Sequence, residues 1–198
     1  MERRTLLAIV TTLAVVAALI AYIVAQRGGT PEFGDKRIES LVSGAPRSLK
    51  IETSMYTGGK VRTSYTCDGP GRPPEITIEG IPNNTRAIAI ILYDPDAPRG
   101  ALTWRGTFVH WLILEKPGGA RAMAPAEGAV VGVNSAGRMG YYPPCPPRGD
   151  KPHRYILVAV ALDRWPQLGE GFTLGDLVEQ ARGHVIAWGM VVGTYSRS

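Results

Sequence analysis

The sequence predicts a mostly β domain, a sandwich or barrel, behind an apolar N-terminal segment. From residue 49 onward the apolar segments are short and broken by Gly, Pro or Asn, as where ITIE (76–79) gives way to GIPNNTR (80–86). That is the punctuation of strands and turns. The runs AIAIILY (87–93), FVHWLIL (108–114) and YILVAVAL (155–162) are almost continuously apolar, which predicts central strands covered on both faces. The segment TLLAIVTTLAVVAALIAYIVA (5–25) carries no charge over 21 residues, about the length that crosses a bilayer as a helix.

Residues 1–25 are therefore read as a membrane anchor or signal segment. A cleaved signal has an apolar stretch of about 7 to 15 residues and a small-residue cleavage site. This stretch is longer and IVA (23–25) is a poor cleavage match, which favours an uncleaved, single-pass transmembrane helix. Arg3 and Arg4 precede it while Arg27, Lys36 and Arg37 follow, so the charge rule does not orient it. A lone N-terminal anchor before a large C-terminal domain points to an extracytoplasmic domain. QRGGTPEFGDK (26–36) is polar, with Gly-Gly and Pro, and reads as a tether. Residues 26–48 are assigned as linker and 49–198 as the folded domain.

Within that domain a helix is predicted over 174–182 (LGDLVEQAR), with Thr173 as N-cap, Asp176 in the first turn and Gly183 as the stop. A last strand follows over 186–195. A hydrophobic content of 44% with 20% charged residues suits one ordinary core. The net charge of +5 is scattered, with no basic block, which argues against a nucleic-acid-binding protein. Two cysteines and three histidines lack C-x-x-C or H-E-x-x-H spacing, so neither a metal nor a cofactor is expected.

Four positions carry chemistry. Strand alternation would put Phe108, His110, Leu112 and Leu114 on one face and Val109, Trp111 and Ile113 on the other, leaving His110 either a satisfied core histidine or a ligand donor. His153 and Tyr155, two apart at the head of a central strand, would share a side. Before them, GYYPPCPPRG (140–149) holds four prolines, which fix φ, shape a rigid wall and leave the amides of Cys145 and Arg148 as available donors. DPDAPRG (94–100) pins Asp94 and Asp96 between Pro95 and Pro98, one carboxylate more than an Asp-Pro turn needs.

DPDAP, TWRGTFVHWLIL (103–114) and GYYPPCPPRGDKPHRYILVAVALD (140–163) together resemble the phosphatidylethanolamine-binding protein family. YTCDG (65–69) with Pro73-Pro74, and the ending GHVIAWGMVVGTYSR (183–197), extend the resemblance to its bacterial and archaeal branch. The resemblance implies an antiparallel β-sandwich with Greek-key topology, one or two short helices near the C-terminus, and a small pocket for phosphate-like anions or phospholipid headgroups. Carried over residue by residue, Asp94, Asp96, His110, His153 and Tyr155 line that pocket. Cys145 stands where eukaryotic members typically have glycine, so its side chain would narrow the pocket.

An ionised carboxylate repels an anion unless something offsets it. The expected arrangement is therefore an aspartate hydrogen-bonded to His110, keeping that ring cationic, with His153, the Tyr155 hydroxyl and amides near Cys145 completing the anion site. Asp96 would instead hold its loop or meet an amine headgroup. A protein-interaction or inhibitor module, of the protease- or kinase-inhibitor type, is the alternative. A hydrolase using Cys145, His110 and Asp94 is a weaker one, since no oxyanion device or nucleophile elbow is readable. Cys67 and Cys145, the only cysteines, are also candidates for a disulfide tying the pocket loop down.

Overall fold

The structure is a computed structural model that describes residues 33–100, 103, 106–117, 121–122 and 128–198. The predicted membrane segment, 5–25, lies outside them. Among the described residues no helix is long and apolar enough to cross a membrane.

The strands in chain order are Lys50–Thr53 (β1), Tyr56–Thr57 (β2), Lys60–Val61 (β3), Ile76–Glu79 (β4), Ala87–Asp94 (β5), Phe108–Glu115 (β6), Arg121–Ala122 (β7), Val130–Val131 (β8), His153–Leu162 (β9) and Val185–Tyr195 (β10). The helices are Lys36–Val42 (α1) and Leu174–Ala181 (α2). A 7-stranded sheet runs β2-β3-β10-β9-β5-β6-β8 and a 3-stranded sheet β1-β4-β7. The ladders are antiparallel apart from a parallel contact of Thr194 with Lys60 between β10 and β3.

The near-continuous hydrophobicity of the central strands has the predicted meaning. In β5, Ile88, Ile90 and Leu92 pack with Ile51, Ile76 and Ile78 of the small sheet, while Ala89, Ile91 and Tyr93 pack with Ile38 and Leu41 of α1 and Leu177 of α2. In β9 Leu157 and Ala159 face the small sheet, and Ile156 and Val158 face the helices. The large sheet is thus the middle of three layers, and only one of its faces is covered by a second sheet.

Phe33–Ser198 form one compact unit, so residues 33–48, read as linker, belong to the folded domain, which corrects its start at 49; residues 26–32 of that linker lie outside the described residues. Phe33 is buried with its ring 5.3 Å from Trp188, and the Tyr93 hydroxyl donates to its carbonyl at 2.9 Å. The Asp35 side chain caps α1 by accepting from the Arg37 N–H at 2.9 Å. Ile38, Leu41 and Val42 are buried at helical spacing. A helix of 7 residues is too short to stand alone, and its polar, Gly- and Pro-containing neighbourhood hid it in the sequence. The second helix therefore lies on the N-terminal side of the sheet strands. The helix read from the sequence is present as α2, one residue shorter. Thr173 and Asp176 form a reciprocal capping box.

Gly189 in the middle of β10 is required by close approach. A Cβ there would sit 2.9 Å from the Leu49 carbonyl carbon and 3.0 Å from the Leu49 Cβ. Leu49 cannot withdraw freely, because its N–H donates to the Trp188 carbonyl at 3.1 Å. Gly189→Ala is expected to lower stability by about 1–3 kcal/mol, read as a fall in the urea unfolding midpoint at unchanged slope.

Candidate functional site

The site forms where β6, β9, the turn after β5 and the proline-rich loop meet. Along the β5–β6 ladder Leu92 pairs with Trp111 but Tyr93 pairs with Val109, leaving His110 as an extra, unmatched residue. This is a β-bulge, which re-aims a side chain. It splits the face predicted for Phe108, His110, Leu112 and Leu114: Val109 joins Leu112 and Leu114 on the helix side. His110 turns instead to Tyr155 and Phe108, ring centroids 5.3 and 4.7 Å away.

His110 is 3% exposed, and its Nδ1 lies 2.8 Å from the Tyr142 carbonyl oxygen. A carbonyl only accepts, so Nδ1 carries the hydrogen, and in the neutral ring Nε2 is then a bare lone pair. Nε2 is buried and has no partner among the described residues. Burial lowers the His110 pKa to about 4, and the Tyr142 carbonyl, which favours the charged ring, does not offset it. His110 is therefore neutral at pH 7, which corrects the expectation of a cationic His110 held by an aspartate.

The aspartate meets the other histidine. Nδ1 of His153 donates to Asp94 Oδ2 at 2.8 Å, and the Asp96 N–H donates to Asp94 Oδ1 at 2.7 Å. Burial raises the Asp94 pKa, with the His153 hydrogen bond and charge working against it. The outer nitrogen of His153, Nε2, lies 3.4 Å from Asp150 Oδ2. Asp96 does not line the cavity. It takes a bidentate clamp from Arg154, Nε to Oδ2 at 2.8 Å and Nη2 to Oδ1 at 2.8 Å, with the Arg154 N–H at 2.9 Å. These contacts lower its pKa and hold the DPDAP turn against β9. Two carboxylates are thus needed because one orients a histidine and the other fastens the turn.

Tyr155 is buried beside His110, and burial pushes its hydroxyl far above the ordinary phenol range, so it stays protonated. Together Asp94, His110, His153 and Tyr155, with Phe108, Tyr142, Ala97, Pro98 and Thr103, enclose a cavity of about 300 Å³. Cys145, Pro146 and Pro147 complete its wall. Cys145 is joined to Cys67 in a disulfide with Cα atoms 5.4 Å apart. It has no free thiol, and the hydrolase reading loses its nucleophile. The Cys67 N–H also donates to the Pro144 carbonyl at 3.0 Å, and the Tyr141 hydroxyl to the Tyr65 carbonyl at 2.6 Å, so the wall is stitched to the 65–67 segment at several points.

The sequence reading missed Tyr142 and Asp150. Tyr142 acts through a main-chain carbonyl, which leaves no mark on residue identity. Asp150 was open to notice as the acidic residue three before His153. A larger cavity of about 430 Å³ lies beside the start of α2, but no histidine or carboxylate lines it. Its Arg37 is engaged by Asp35 at 2.6 Å, and its Asn134 side chain is spent on the 134–140 turn.

A β domain with a cavity lined by two histidines, a phenol and a disulfide-held proline wall has the fold of a binding protein, and among the described residues nothing points to catalysis. The sequence model of the phosphatidylethanolamine-binding protein family matches residues 52–196, and the chain belongs to that family. A UPF0098 protein of Pyrococcus horikoshii is 35% identical over 159 residues, 76% of this chain and 77% of that protein. One from Chlamydia muridarum is 36% identical, covering 75% of this chain and 99% of that protein. The crystal structure of a phosphatidylethanolamine-binding protein homologue from Chlamydia trachomatis superposes with a TM-score of 0.69 at 32% identity, covering 77% of this chain and 99% of that one. Escherichia coli YbcL gives 0.67 at 26% identity, covering 76% and 99%.

Proposed function

We propose that this chain is a membrane-anchored binding protein whose pocket takes a phosphate-type oxyanion, free or as a phospholipid headgroup, outside the cytoplasm. The observation that carries this reading is the convergence of His153, Tyr155 and the proline wall on one small cavity whose carboxylate, Asp94, is already committed to His153 at 2.8 Å. A carboxylate spent in this way orients the His153 ring, with its own charge engaged by that hydrogen bond. Pro143, Pro144, Pro146 and Pro147 have no N–H, so Cys145 supplies the one main-chain donor of that stretch. The apolar residues 5–25 supply the anchor.

Calorimetric titration of the full chain in detergent with inorganic phosphate and with phosphoethanolamine tests it. Binding is expected in wild type, about threefold to tenfold weaker in Tyr155→Phe, which loses one hydroxyl hydrogen bond. The loss should be larger in His153→Ala. Wild-type protein that takes up neither ligand would end the oxyanion reading.

A further inference from the structure

His110 lines the pocket, and its neutral ring brings a lone pair where an anion site needs a hydrogen. The Tyr142 carbonyl at 2.8 Å fixes the hydrogen of His110 on Nδ1, so that in the neutral ring Nε2 is the acceptor. That atom is buried without a partner among the described residues. The groups that face the ring are Phe108 and Tyr155, at 4.7 and 5.3 Å between centroids, and the Tyr142 ring at 6.2 Å. Asp94 and His153 are the titratable groups sharing the cavity wall, and both are engaged with each other. The charge of His153, where present, further disfavours a proton on His110. An unfilled buried acceptor in a ligand cavity is a request for a donor.

A fully deprotonated oxyanion cannot meet that request. Its oxygen would set lone pairs against the lone pair of Nε2 with no hydrogen between them. A P–O–H group donates to Nε2 directly. Alternatively Nε2 takes a proton from solvent and donates it to P–O⁻, and the complex has the same composition. Resting on the oxyanion reading above, we propose that the pocket takes its oxyanion only together with one proton shared with His110 Nε2, and so, of the two sources named there, selects free hydrogen phosphate and phosphomonoesters over the phosphodiester of an intact phospholipid, and over sulfate.

Sulfate is the sharpest probe, because it matches phosphate in size and shape but carries no proton near neutrality. At pH 7, calorimetry on the full chain in detergent is expected to show phosphate binding at least about tenfold more tightly than sulfate, the effect of one hydrogen bond to a buried acceptor. Methyl phosphate should exceed dimethyl phosphate in the same sense. Between pH 7 and pH 5 sulfate affinity should rise about tenfold per pH unit, as expected when binding is linked to one proton, and phosphate affinity much less. Titrations in two buffers of different ionisation heat should count about one proton taken up per sulfate bound. In His110→Gln the side-chain amide donates without titrating, so the sulfate slope should flatten and the preference for phosphate shrink. Should that variant fail to fold, the wild-type proton count decides. Equal binding of phosphate and sulfate at pH 7 with no proton uptake overturns the proposal while leaving the oxyanion reading standing. If no oxyanion binds at any pH, both fall.

Discussion

Replacing Cys67 and Cys145 together by serine is expected to lower the unfolding free energy by about 4 kcal/mol, roughly 10 °C in melting temperature for a domain of this size. The two residues are 78 apart in sequence, so the bond closes a long loop and removes much of the unfolded chain's freedom. Little of the loss should come from the folded state. The Cys67 N–H to Pro144 carbonyl bond at 3.0 Å and the Tyr141 hydroxyl to Tyr65 carbonyl bond at 2.6 Å remain. The clamp of Arg197 on Asp68, Nε to Oδ2 at 2.9 Å, remains too. Urea unfolding should show a lower midpoint and a steeper slope, because an uncrosslinked unfolded chain exposes more surface. A loss under about 1 kcal/mol would mean that the unfolded chain gains little freedom when the bond is absent.

The second large effect is on stability against acid. His110 titrates at about 4 in the folded protein and near 6.5 when unfolded. A histidine whose folded value is depressed contributes stability that is complete above the unfolded value and lost as pH falls through the folded one. The window is therefore pH 6.5 down to 4, and the loss is about 3 kcal/mol. Asp94 acts in the opposite direction, since burial raises its pKa and its contribution declines as pH rises. Asp35, Asp68, Asp96 and Asp176 have lowered values, so they lose their contributions below this window. Subtracting the urea midpoints of His110→Gln from those of wild type at each pH isolates the histidine. The difference should grow in wild type's favour from pH 4 to 6.5 and then level. A difference independent of pH would show that His110 is not buried as a neutral ring.

Much of this was legible from residue order. β4 and β5 lie where alternation and turn residues put them. α2 starts at the Thr173 cap because Thr-x-x-Asp before an apolar stretch is a local signal, complete within four residues. α1 was not legible, because its stability comes from burying Ile38, Leu41 and Val42 against the sheet and not from its own propensity. The disulfide stood open in the sequence, where an even number of cysteines permits a bond but does not bring Cα atoms to 5.4 Å.

For the site, residue types sufficed to nominate Asp94, His110, His153 and Tyr155, since a proline-walled turn and a His-x-Tyr strand start are written in the chain itself. The tertiary structure alone decided their pairing. Asp94 meets His153 across 59 residues of sequence and His110 meets a carbonyl 32 residues away, and a contact below 3 Å between distant segments is set by strand register. Register in turn shifts by one at His110, and a single bulged residue sends a side chain to the other face of a sheet. That shift buries the imidazole beside a main-chain acceptor that no residue letter encodes, and so makes neutral the group that composition alone would have charged.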